Sequence, residues 1–147
     1  MGLGFRIGAK NSQRVWQIIR GTSIVFPSKA SGNVGGSWQG QVVGYDDDQG
    51  GNFSASLTLD SSCIGMRCKY TWSGQVSGRF GDGYTSITAG GVTHGTWSLN
   101  TSSSGEDSFI VTSSNRTINM SGSYGGSSRM WKPETYMYIT SLICEDV

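Results

Sequence analysis

The side chains able to do acid–base, nucleophilic or metal chemistry are few and scattered. His94 is the only histidine, and it shares the polar positions of an alternating stretch with Thr96 and Ser98. That placement suits a solvated surface histidine better than a general base. Serine is abundant, but no spacing sets a serine beside a histidine and a carboxylate. The acids gather in turn-like clusters: Asp46-Asp47-Asp48, Glu106-Asp107 and Glu145-Asp146. The first offers oxygens to Ca²⁺, yet such a site needs six or more at fixed positions, and a solvated loop is the simpler reading. Gly81-Asp82-Gly83 reads as a turn, because no helix follows to complete a phosphate cradle. Cys63, Cys68 and Cys144 with one histidine lack the paired spacing of a zinc site. Cys63 and Cys68 flank a hairpin tip, where a short disulfide and two reduced thiols are both allowed. The sequence therefore predicts no catalytic residue, no metal site and no cofactor.

The elements that must position any site have a period of two. Asn52–Asp60 places Phe53, Ala55, Leu57 and Leu59 on one face. Lys69–Phe80 places Tyr70, Trp72, Gly74, Val76, Gly78 and Phe80 together. Val92–Asn100 groups Gly95, Trp97 and Leu99. Ser108–Thr112 carries Phe109 and Val111, and Thr117–Tyr124 carries Ile118, Met120, Gly122 and Tyr124. Trp38–Val43, Tyr84–Ala89 and Thr135–Cys144 complete eight strands. The last is apolar on both faces, so its pattern does not choose an inward side.

Composition agrees with this reading. Gly, Ser and Thr make up 59 of the 147 residues and charged residues only 14%. A coiled coil and a collagen are excluded by composition and period, and no apolar run is long enough to span a membrane. Five Trp, six Tyr and five Phe supply apolar area that a disordered chain lacks. Short Gly-, Asp-, Asn- and Ser-rich gaps read as hairpins, and no helix-length segment separates strands, so parallel crossovers are excluded. Eight hairpin-linked strands lose their exposed edges by closing into a barrel. The expected fold is all-β, an eight-stranded antiparallel up-and-down barrel, with a β-sandwich as the alternative.

Gly36-Ser37-Trp38 resembles the Gly-x-Trp signature on the first barrel strand of the lipocalins, and the similar opening strand of the avidins. The resemblance implies a calycin-type barrel and the binding of a small apolar molecule. Gln39, Gln41 and Val43 stand where avidins carry polar biotin ligands, so biotin binding is not implied.

Charge divides the chain. Residues 1–34 form an N-terminal arm with a short helical turn expected over 13–20, followed by a domain over 35–147. Residues 1–45 hold five bases and no acid, and the remainder is acidic. An arm of this kind is a targeting segment or docks on a partner. No secretory signal is visible, which points to a cytoplasmic or organellar location. The bases are too sparse for nucleic acid.

Three functions follow as expectations. The first is binding of a small apolar or aromatic ligand inside the barrel by Trp38, Phe53, Tyr70, Trp72, Phe80, Trp97, Phe109, Met120 and Tyr124. The second is an accessory role, with Arg14, Trp16, Ile19, Arg20 and Phe26 docking on a protein partner or a second copy. The third is a carbohydrate-binding module, which requires tryptophans on an outer surface. None of the three is catalytic.

Overall fold

Alternating side chains make extended strands, and all eight expected strands form. The structure is a computed structural model. It describes residues 34–44 and 47–147 with their side chains, and before them the backbone of four short strands. These four are β1 (Arg6–Ile7), β2 (Gln13–Arg14), β3 (Trp16–Arg20) and β4 (Ser23–Val25). The eight are β5 (Val34–Gln39), β6 (Asp48–Leu59), β7 (Arg67–Ser77), β8 (Asp82–Ala89), β9 (Val92–Thr96), β10 (Thr101–Ile110), β11 (Thr117–Ser127) and β12 (Glu134–Glu145). Within 13–20, expected as helical turns, Gln13–Arg14 and Trp16–Arg20 are extended instead, and β3 pairs with β6.

The strands do not close into a barrel. They form two antiparallel sheets, β10-β7-β12-β5 and β4-β3-β6-β11-β8-β9. The sandwich alternative is the observed architecture. From β5 onward only β8 and β9 are both consecutive and hydrogen-bonded; every other connection crosses from one sheet to the other. A short polar gap can arch between stacked sheets as readily as it can fold a hairpin, and composition does not distinguish the two. The true hairpin has Gly90 and Gly91 at its tip, with φ of 57° and 84°. Positive φ at both positions is the twist-matched two-residue turn. The order of β5–β12 is that of an eight-stranded double-sheet jelly roll.

One half of the interior is aliphatic. Leu57, Leu59, Ile87, Ile118, Ile139 and Leu142 are essentially inaccessible. Each contributes about 1.5–3 kcal/mol by leaving water. Cys63, Cys68 and Cys144 are buried here as thiols. Cys68 stands opposite Cys144 across the β7–β12 ladder, so the hairpin-tip pairing with Cys63 is not what the fold sets up.

The other half is built from rings seated on glycines. The Phe53 ring occupies the space where Gly36 and Gly122 would carry a Cβ. Trp38 covers Gly51 and stacks on Tyr124, with ring centroids 5.8 Å apart and planes 14° from parallel. Two fully buried threonines join the sheets in this half. Thr85 on β8 donates to the Tyr136 carbonyl at 2.8 Å, and Thr135 on β12 donates to the Tyr84 carbonyl at 3.0 Å.

A Cβ added at Gly122 would lie 2.3 Å from the Phe53 ring and 2.6 Å from the Thr135 hydroxyl, whereas one at Gly125 meets nothing within 4 Å. Overpacking of this kind costs about 1–3 kcal/mol. Gly122→Ala is therefore expected to lower the unfolding free energy by that amount, read as a lower urea midpoint at an unchanged m-value, while Gly125→Ala stays within about 0.5 kcal/mol of the parent.

Candidate functional site

Four crossing connections meet at one end of the sandwich, through their described residues 40–44, 78–81, 97–100 and 128–133. Their backbones are tied to one another. Met130 N–H donates to the Val43 carbonyl at 2.6 Å and Gly40 N–H to that of Pro133 at 2.9 Å. The Asn100 amide brackets Gly78, accepting from its N–H at 3.2 Å and donating to its carbonyl at 2.8 Å. Arg79 N–H donates to the Ser128 hydroxyl at 3.1 Å, and its guanidinium to the Arg129 carbonyl at 3.4 Å. Beneath them the Tyr124 hydroxyl donates to the Phe80 carbonyl, anchored by the stack on Trp38.

This frame presents apolar side chains to water. Trp97 is 62% exposed, Trp131 46% and Phe80 51%; Val42 and Met130 project beside them. These five are half of the exposed large apolar side chains among the described residues. A concentration of that kind marks an interaction surface. Met130 is held at φ 60°, a left-handed conformation that an unbranched L-residue adopts at a cost of about 1–2 kcal/mol. The guanidinium of Arg79 lies 5.4 Å from the centre of the Phe80 ring. Arg129, Lys132, Asp47 and Asp82 are exposed on the same end, so both signs of charge rim the rings.

The expected interior set separates. Tyr70, Trp72, Met120 and Tyr124 are buried, and Trp38, Phe53 and Phe109 are partly buried. Phe80 and Trp97 face solvent instead. β7 ends at Ser77, so the alternation that placed Phe80 inside does not reach it. β9 ends at Thr96, and its inward residues are His94 and Thr96, opposite the buried Ile87 and Thr85. A one-residue error of parity moves every side chain to the other face. The Cβ space at Gly36 and Gly122 is taken by the Phe53 ring, at Gly78 by the Tyr124 ring and at Gly74 by Met137. Of the docking set, Arg14 lies in β2 and Trp16, Ile19 and Arg20 in β3, and Phe26 lies outside the described residues.

His94 is not a solvated surface histidine. Its ring stacks on Trp72 at 4.1 Å, and Nε2 lies 2.8 Å from the Asp107 carboxylate. The pair joins β9 and β10, the edge strands of opposite sheets. The hydrogen bond from His94, and then that from Ser108 N–H, hold the Asp107 carboxyl below its usual range. Below this pair the Tyr70 hydroxyl is buried with no hydrogen-bond partner among the described residues, and burial, then the Asp107 charge, push it up to about 12. The cluster has an acid–base pair but sets no nucleophile beside it.

No family model matches the chain, and no curated protein matches it. Among solved structures it is similar to TmCBM61, a carbohydrate-binding module in complex with β-1,4-galactotriose. The TM-score is 0.36 at 11% identity, over 77% of this chain and 70% of that one.

Asp107 has a folded pKa below its unfolded value of about 3.9, so its contribution to stability is present above that value and lost as pH falls through the folded pKa. The pair is partly exposed, which limits the effect to less than about 1 kcal/mol. Asp107→Asn is expected to be less stable than the parent at pH 7 and to converge on it below pH 4, read by thermal denaturation across pH.

Proposed function

We propose that this protein is a non-catalytic module that binds carbohydrate through the four-loop end. The observation that carries the reading is the pair Trp97 and Trp131, both exposed on loops of the same end, the first tied through the Asn100 side chain to Gly78 and the second through backbone hydrogen bonds. Sugar rings present an apolar C–H face and a rim of hydroxyls. An aromatic ring covers the first, and charged or amide groups of either sign bond the second. The loop end supplies Trp97, Trp131 and Phe80 for stacking, and Arg79, Lys132 and Asp82 for the rim. Loops held in one arrangement lose little entropy on binding, which favours a preformed site. The reading assigns no bond-breaking step to any residue.

The test is affinity electrophoresis against a panel of neutral polysaccharides, followed by calorimetry on those that retard the protein. Trp97→Ala and Trp131→Ala are each expected to weaken binding by about tenfold or more, equivalent to about 1.4 kcal/mol, with unchanged melting temperature because both side chains are exposed. Retention of full affinity by the double variant, or absence of retardation on every polysaccharide, would overturn the proposal. Self-association that both substitutions abolish would assign the patch to a second copy instead.

A further inference from the structure

β12 leaves the loop end directly. Trp131 is followed by Lys132, Pro133 and then Glu134 at the first position of the strand. Met137 and Ile139 turn inward, so Tyr136 and Tyr138 stand on the outer face of the four-stranded sheet. Their rings stack, with centroids 5.2 Å apart and planes 27° from parallel. Neither ring has packing work in the core, which other side chains fill. The Tyr136 hydroxyl donates to Gln75 Oε1 at 3.2 Å, which leaves the Gln75 amide N–H groups available. The positions beside the pair are small and uncharged: Ser73 faces Tyr138 on β7, and Ser102 and Ser104 face Gln75 and Ser73 on β10. An outer sheet face normally carries charge that keeps it solvated. Among the described residues, charge on this face stands beyond the tyrosine rows, in Glu134 above and in Glu106, Arg67 and the Lys69–Glu145 ion pair below.

We infer that the ligand is an internal stretch of a neutral polysaccharide, which runs from Trp131 over Tyr136 and Tyr138. The inference rests on the carbohydrate reading of the loop end and names the form of its ligand. Two facts carry it. The tyrosine pair adjoins the loop end, since Tyr136 lies five positions after Trp131, at most about 18 Å along the chain. The positions that flank the tyrosine pair are also rich in hydroxyl and amide groups, Ser37, Ser73, Gln75, Ser102 and Ser104, which suits a chain of hydroxyls. A site that captured only a chain end would need the loops alone.

The experiment is calorimetry of the full chain with ladders of β-1,4-linked gluco-, galacto-, manno- and xylo-oligosaccharides, from disaccharide to octasaccharide. For the ladder that binds, affinity is expected to rise with length. Tyr138→Ala is expected to remove that rise, about tenfold at the longest member, and to leave the shortest unchanged. Trp131→Ala is expected to weaken every length. Backbone NMR of the parent gives a reading that needs no variant: long members shift the amides of Tyr136 and Tyr138, and disaccharides do not. Affinity independent of length overturns this inference and leaves the loop-end reading standing. Failure of every ladder together with every polysaccharide overturns both. Dimerisation that depends on Tyr138 overturns the inference by giving the face to a second copy.

Discussion

The architecture depends on how closely two sheets can approach on the side of the sandwich where β8 and β12 cross. Thr85 and Thr135 each send a hydroxyl across the gap to a backbone carbonyl of the opposite sheet. A hydroxyl sealed from water without such a partner would cost several times what the bond itself contributes, so the pair demands near contact. Near contact leaves no room for a Cβ at Gly122, and the Phe53 ring takes the remaining space. The same closeness explains why aromatic rings alternate with glycines along these strands. Sheets spaced by ordinary aliphatic side chains, as in the other half, would hold the threonines apart.

Much of this was legible in the alternation. The inward faces of β6, β7 and β11 follow the apolar pattern because these strands are long and each is half-buried. Closure was not legible. A gap of a few glycines and serines has the same composition whether it joins neighbours in a sheet or bridges two sheets, and only the tertiary pairing decides. The register of glycines with aromatics was legible, and the Phe53 and Tyr124 rings stand where Gly36, Gly78 and Gly122 would carry a Cβ.

The candidate site was the harder part to read. Phe80 and Trp97 look inward only if alternation continues past the strand ends, which it does not. His94 was assigned to the wrong face for the same reason. Trp131 carried a usable signal, since it lies in a turn-like stretch between Ser128 and Pro133 with no strand period. Tyr136 and Tyr138 carried another. Residues two apart on a strand share a face, and the more apolar Met137 and Ile139 compete for the inside. That competition is invisible in a segment that is apolar throughout until the neighbouring strands are known.

The crossing connections also set the order in which the chain can assemble. Val34 pairs with Ile139, and β12 sits between β5 and β7 in the smaller sheet. From β5 onward every ladder but β8–β9 joins segments distant in sequence, so little of that structure is rewarded by local contacts, and loop closure must precede pairing. Until β12 is made, β5 has no partner in its sheet and β7 has only β10. β12 thus acts as the keystone of folding: without it β5 would lose its place in the sheet and β7 would be left with an open edge.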